Sequence, residues 1–218
     1  MSKALSTFIP VVEQSNLWSA QKGNLRCTAL RLRDGTLCLY SPVLGLDDAA
    51  RTSLAGLGEV SVLLAPNHYH HKGLKEYATA FPDATLMCSE RARPRLEKQT
   101  GLTFETLGAL APVLPDDCEL FEADGLKTGE VWLSLSGSDP RVWVVCDAFK
   151  GPAGKPGLVH AQIELLGTFP SFGIADKTRY GAWLDQTLKQ APPKLVVPCH
   201  GSIVQSDDLA ADIKGLMG

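Results

Sequence analysis

A chain of 218 residues that is 44% hydrophobic has the material for a sizeable core. Its 21 basic and 24 acidic side chains leave a net charge of −3, and the basic residues are spread along the chain, so no concentrated positive footprint for nucleic acid is present. No apolar run approaches the ~20 residues needed to span a bilayer.

The N-terminal stretch MSKALSTFIPVVEQSNLW carries an apolar run broken by Pro10 and Glu13, without the sustained apolar segment of a secretory signal. Next, NLRCTALRLRDGTLCLYSPV holds two alternating segments about Asp34-Gly35, a strong hairpin signal. The alternation puts Cys27, Ala29 and Arg31 on one face and Leu30 and Leu32 on the other. LGLDDAARTSLAGLG predicts a helix capped by Asp47 or Asp48, carrying Ala49, Leu54 and Leu57, and ended by Gly56 or Gly58. EVSVLLAP is short and nearly all apolar, as in a strand covered on both faces.

APNHYHHKG follows at once, with His68, His70 and His71, three of the five histidines. In HKGLKEYATAF, Leu74, Tyr77, Ala78 and Phe81 recur at helical spacing until Pro82-Asp83 stops them. ATLMCS predicts another buried strand. SERARPRLEKQTG predicts a polar, basic helix ended by Gly101, and its RARPRLEK stretch is expected to be a solvated face.

The second half is richer in strands: CELFEADGL, GEVWLSLSG and RVWVVCDAF. Lys150 to Phe172 reads as a long Gly/Pro-rich loop, of a kind often functional. Within it, His160 has no companion and is expected at the surface or facing a substrate. FPSFG, with Phe169 and Phe172, reads equally as a flap at a pocket mouth or as a hydrophobic plug. TRYGAWLDQTLKQ predicts a helix carrying Tyr180, Trp183, Leu184 and Leu188. KLVVPCHG is a last short buried strand, and SDDLAADIKGLMG a helix capped by Ser206. Trp132, Trp143 and Trp183 are expected in the core or covering a sheet. Strand-rich halves with helices outside predict a layered α/β sandwich, with residues 1–218 forming one domain.

Three polar signals share one kind of position. The histidine cluster follows VSVLLAP, Asp147 follows VWVVC, and His200 follows KLVVPC. Side chains at the ends of buried strands converge on one edge of such a fold, where ligand sites lie. Imidazole and carboxylate are the ligands that zinc, iron and manganese accept. A shared metal site is therefore expected. Cys146 and Cys199 each precede one of these residues, so alternation turns them to the opposite face, where packing is expected, with a redox-active pair as the alternative. None of the six cysteines forms a Cys-x-x-Cys pair, which predicts reduced, buried thiols in a cytoplasmic protein.

The segments RLRDGTLCLYSPV, LGEVSVLLAPNHYHHKGLKEYATAFPDATL, VVCDAF and VVPCHG, in this order over most of the chain, resemble a divergent member of the metallo-β-lactamase-fold superfamily. The resemblance implies a four-layer αββα sandwich with a site at one edge of two sheets. It also exposes departures. Against the usual His-x-His-x-Asp-His motif, Pro66 stands at the first histidine, His68 at the second, His70 at the aspartate and His71 at the last. An alignment two residues shorter makes His68 and His70 the first pair instead. Leu126 stands where a Gly-His-Thr-like segment supplies a further ligand, and Ser41 where an acidic residue usually lies.

One metal rather than two is the expectation, held by His70, His71, Asp147 and His200, with zinc first and iron or manganese as alternatives. Asp147 would bind the ion or orient water, and His68, if not a ligand, would act as general acid or base. The corresponding activity is hydrolysis of a small ester, thioester, lactone or phosphoester. The alternatives are a non-catalytic binding module on the same scaffold and a mononuclear iron oxidoreductase. A small-molecule substrate is the expected partner, without nucleic acid or membrane. A homodimer is compatible with these features.

Overall fold

The computed structural model describes residues 4–11, 14, 16–137 and 140–217. Glu13, which interrupts the N-terminal apolar run, lies outside them. The first sheet runs in chain order: β1 (Ile9–Pro10), β2 (Leu17–Lys22), β3 (Leu25–Arg31), β4 (Leu37–Tyr40), β5 (Val60–Leu64), β6 (Thr85–Cys88) and β7 (Glu105–Thr106). It is antiparallel up to β4 and parallel from β4 to β7. The second half contains β8 (Cys118–Glu122), β9 (Val131–Leu135), β10 (Val142–Val145), β11 (Phe149–Lys150), β12 (Val159–His160), β13 (Glu164–Leu165), β14 (Leu195–Pro198) and β15 (Ile203–Gln205). Six of these build the second sheet in the order β12-β15-β14-β10-β9-β8, and β11 pairs with β13 alone.

The helices are α1 (Asp48–Ala55), α2 (Leu74–Ala80), α3 (Arg93–Thr100), α4 (Leu107–Leu110), α5 (Phe169–Phe172), α6 (Lys177–Gln190) and α7 (Leu209–Gly215). Strand alternation sorts the core into layers. Leu30, Leu32, Cys38 and Leu64 of the first sheet meet Leu133, Val144, Cys146 and Val197 of the second. The opposite face of the first sheet, with Ala29, Leu39 and Leu63, is covered by Ala50 and Leu54 of α1 and Tyr77 of α2. The opposite face of the second, with Trp132, Trp143 and Val196, is covered by Tyr180 and Leu184 of α6 and Ile213 of α7. The result is the expected αββα sandwich.

The hairpin forms about Asp34-Gly35, with Ala29 opposite Leu39, and its faces divide as alternation requires. Arg31 lies on the Cys27 face, its guanidinium 5.1 Å from the Trp18 ring. Several details differ from expectation. Of the two expected caps of α1 it is Asp47 that accepts from the Ala50 N–H, but Ala50 rather than Ala49 faces the core. Ser206 accepts from the Asp208 N–H one turn before α7, whose N-cap is Asp208. The segment from Lys150 to Phe172 is not one open loop: it contains β12, β13 and α5. Also, β1 and β2 formed no recognised alternation in the sequence, because β2 is buried on both faces.

One buried cation ties the two sheets together at the end where the strands release their loops. Arg26 on β3 is 1% exposed. Its Nε donates to the Pro198 carbonyl at 3.1 Å, its Nη2 to the Gly201 carbonyl at 2.8 Å, and its Nη1 to Ser19 Oγ at 2.9 Å. Gln21 Nε2 donates to the same Gly201 carbonyl at 2.8 Å. Gly201 has φ 78°, and an added Cβ would lie 2.1 Å from the Gly151 carbonyl oxygen, so only glycine fits. These bonds hold the Pro198–Gly201 turn, and His200 with it. Removing the guanidinium takes a donor from the Pro198 carbonyl and leaves Gln21 as the side chain on the Gly201 carbonyl. Arg26→Ala is therefore expected to lower stability by about 2–4 kcal/mol in urea denaturation; a loss below ~1 kcal/mol would contradict this role.

Candidate metal centre

The geometry begins with strand pairing. β10 and β14 are parallel neighbours with Val145 opposite Pro198, so the chain leaves the sheet side by side at Asp147 and His200. The histidine segment leaves β5 in the other sheet. It is fastened to the second sheet by the Val131 N–H donating to the Pro66 carbonyl at 2.8 Å and the His68 N–H donating to the Thr128 carbonyl at 3.2 Å. Asn67 Oδ1 then accepts from the Tyr69 N–H at 2.8 Å and the His70 N–H at 3.3 Å, folding the chain into a tight turn. That turn delivers His70 to the other two residues.

His70 Nε2 and His200 Nε2 each lie 2.9 Å from the same atom, Asp147 Oδ1. The two rings are nearly perpendicular, with centroids 5.4 Å apart. Ser41 Oγ sits 2.8 Å from His70 Nδ1 and so fixes the ring from behind; Ser41 adopts φ 59°, a left-handed conformation that serine rarely takes. Asp147 Oδ2 accepts from Asn67 Nδ2 at 2.8 Å. Beneath them lies Glu130, 1% exposed. Its carboxylate accepts from the backbone N–H groups of Asp147 and Ala148, both at 3.1 Å, and from Trp132 Nε1 at 2.8 Å. It positions the aspartate without touching the cavity.

One ligand atom each from His70, Asp147 and His200 can be chosen so that all lie within 4.8 Å of one another. Two imidazole nitrogens and a carboxylate oxygen form the donor set of three-ligand zinc sites, and the restrained far nitrogen of His70 is the support such ligands have. These residues fit a divalent cation. They also line a cavity of about 720 Å³.

The electrostatics are tightly linked. Burial opposes charge on His70, but the carboxylate of Asp147 and its hydrogen bond outweigh this and raise the imidazole to about 9. Burial likewise opposes ionisation of Asp147, yet His70 and His200 hold its carboxyl well below the usual range. Glu130 is pushed up to about 7 by burial and by the charge of Asp147, against hydrogen bonds from Trp132, the Ala148 N–H and Asn67.

His71 does not join the cluster, contrary to its expected place among the ligands; it belongs to none of the ligand groups formed by the described residues. His68 and His71 are also absent from the lining of the cavity. Their His68 Nε2 and His71 Nδ1 atoms are buried without hydrogen-bond partners. Burial first, and then the nearby Arg95 charge, push His68 down to about 4, so it is neutral at pH 7 and can accept a proton but has none to donate as imidazolium. Leu126 is buried in the outer core with Trp132 and Tyr180, so no ligand stands at that position. Cys146 and Cys199 do turn into the inter-sheet core, although a ligand atom from each lies within 4.8 Å of one from His70. His160 sits half-buried on edge strand β12, away from the cavity.

Four residues of the site carry no signal strong enough to single them out: Asn67, Tyr69, Arg95 and Glu130; Ser41 stands out only as the replacement of an acidic residue that the resemblance implies. Arg95 is exposed, as expected of a solvated face, and it also lines the cavity with its guanidinium 4.6 Å from the Tyr69 ring. FPSFG divides between its two readings: both phenylalanines line the cavity, but Phe169 is buried against Tyr180 whereas Phe172 is exposed.

No family model matches the sequence, and no curated protein matches it. Solved structures do. DIM-1 metallo-β-lactamase, from a crystal exposed to ceftazidime, superposes with a TM-score of 0.66 at 11% identity, covering 99% of this chain and 98% of that one. TMB-1 gives a TM-score of 0.67 at 13% identity over 99% and 98%. A metallo-β-lactamase from Pontibacter korlensis gives 0.61 at 14% identity over 97% and 99%. The chain has the metallo-β-lactamase fold, as its sequence resemblance implies. No helix among the described residues is long and apolar enough to cross a membrane.

The linked charges make a prediction for the metal-free protein. A histidine raised from 6.5 to about 9 by its partner contributes stability that is complete below pH 6.5 and lost as the pH rises through about 9. Glu130, raised from 4.5 to about 7, also favours the folded state at the acid side of its range. Asp147, lowered from 3.8, adds stability above that pH that is lost on acidification. Denaturation midpoints of chelator-treated protein should therefore peak between these limits and fall toward pH 9. His70→Ala should flatten the alkaline limb. A midpoint that rises from pH 6.5 to 9 would contradict the cluster.

Proposed function

We propose that this metallo-β-lactamase-fold chain is a hydrolase that uses one divalent metal ion, with a small ester, thioester, lactone or phosphoester as substrate. The observation that carries the reading is the meeting of two imidazole nitrogens and one carboxylate oxygen in a cavity of ligand size. His70, Asp147 and His200 would hold the ion, zinc being the best match to the donor set and iron or manganese the alternatives. Such an ion supplies Lewis acidity to a carbonyl or phosphoryl oxygen and makes water acidic enough to react near neutral pH.

The chain's own residues supply the rest. Ser41 holds the His70 ring through Nδ1, and its oxygen can accept a hydrogen bond from Nδ1–H once Nε2 has given its proton up. Asn67 and Glu130 fix Asp147 from its side chain and its backbone. Neutral His68 remains available to accept a proton, but it lies outside the cavity lining and is given no step. A second ion is disfavoured. Leu126 replaces a ligand, and Arg95 brings a fixed positive charge near His68, the one histidine left at the usual second position.

A second reading rests on the same contacts. Asp147 Oδ1 is already satisfied by two imidazoles, so the cluster is self-sufficient as a structural feature of a non-catalytic binding module. Metal analysis separates the two. Protein purified without chelator or added metal should carry about one equivalent by elemental analysis. His70→Ala and His200→Ala should abolish it, and His71→Ala should leave it unchanged. Ser41→Ala should weaken metal affinity by about 10–100-fold. Release of nitrophenol from generic ester and phosphoester panels should vanish with chelator, return with zinc or manganese, and fall at least ~100-fold in kcat/KM in His200→Ala. Two equivalents of metal would contradict the mononuclear site. Absence of metal in every variant would leave the binding module.

A further inference from the structure

The composition of the cavity is more specific than its volume. The large hydrophobic side chains exposed among the described residues are Leu25, Leu44, Leu158 and Phe172. Three of these four, Leu25, Leu44 and Phe172, line the cavity that holds His70, Asp147 and His200. Apolar side chains left in water and gathered around one opening mark a binding surface rather than random exposure.

Charge is gathered there as well. Lys22 at the end of β2, Lys72 ahead of α2 and Arg95 on α3 come from three separate elements to line the same cavity. None of the three makes an ion pair among the described residues, whereas Arg33, Lys150, Arg179 and Lys214 elsewhere on the surface are each paired with a carboxylate. Among the described residues the one carboxylate in the lining is Asp147, which His70 and His200 already occupy. A chain of net charge −3 has thus placed three uncompensated cations around one apolar opening. Stacking on Tyr69 holds the Arg95 guanidinium in place while leaving its N–H donors free, which suits an oxyanion.

We propose that the substrate of this cavity is an anionic amphiphile: an ester or thioester with an apolar body packed on Leu25, Leu44 and Phe172, and a carboxylate or phosphate group received by Arg95. Lys22 and Lys72 steer it and add to the attraction, so binding weakens with salt. This assignment rests on the hydrolase reading for the word substrate. The binding preference itself can be measured without turnover.

The test is calorimetric titration of the full chain with decanoate, decyl phosphate and decyltrimethylammonium, each below its micelle threshold. Both anions should bind at least about tenfold more tightly than the cation, and the larger response of the two tells carboxylate from phosphate. Arg95→Glu should reverse the preference. Phe172→Asp, at an exposed position, should weaken binding of the anions. Equal binding of anion and cation, an unchanged ratio in Arg95→Glu, or no binding of any probe would overturn the proposal. The Arg95→Glu arm also excludes an anion that merely ligates a metal, because that mode does not depend on residue 95. If the anion preference is present in a protein that hydrolyses no ester, the ligand assignment is supported and the hydrolase reading fails. Metal-dependent hydrolysis that favours neutral or cationic esters over anionic ones would do the reverse.

Discussion

A single carboxylate oxygen organises the molecule's polar edge. Oδ1 of Asp147 faces two imidazole nitrogens, one carried by each sheet, so the sandwich can close at this edge only when both sheets are in register. Burying Asp147 beside Glu130 is unfavourable in itself, since two carboxylates repel and both lose water. The arrangement persists because each is surrounded by donors. Asn67 and two histidines serve Asp147; two backbone N–H groups and Trp132 serve Glu130. Arg26 does for the His200 turn what Glu130 does for Asp147, from the opposite sheet and with the opposite charge. The edge is held by a polar lattice over an apolar core, and every member of that lattice depends on its neighbours.

The segment carrying Leu126 connects this edge to the shape of the cavity. Leu126 enters the outer core and pairs across a bridge with Ile174. Lys127 follows, its backbone N–H donating to the Gly173 carbonyl and its Nζ to the Ser171 carbonyl, both at 2.8 Å. Leu126 and Lys127 therefore fasten α5, and with it the exposed Phe172. In the proposed function the consequence is a single reacting centre beneath a wall of fixed apolar and cationic groups. Specificity would then reside in the wall and chemistry in the floor.

Much of the fold was legible in the sequence because strand periodicity is a local signal. The division of Ala29 from Leu30, the apolar run of β5 and the placement of Asp147 and His200 after buried strands all follow from alternation. What was not legible depends on contacts distant in sequence. Ser41 reads as the loss of an acid until His70 is seen 2.8 Å from its hydroxyl. Glu130 reads as an ordinary strand residue, because nothing in GEVWLSL shows that the Asp147 backbone lies against it. His71 and His70 are adjacent, and only the Asn67 turn decides which one reaches Asp147. Arg95 reads as a solvated charge because its stacking partner, Tyr69, lies on another element.

The central claim is that one metal ion sits on His70, Asp147 and His200 and on no other histidine. Anomalous diffraction at the zinc edge, from crystals of the chain grown with zinc in excess, tests it most directly. The account predicts one peak, bounded by His70 Nε2, Asp147 Oδ1 and His200 Nε2, with Ser41 still on His70 Nδ1. A second peak beside His68 and His71, or a peak that takes His71 in place of His70, would contradict it.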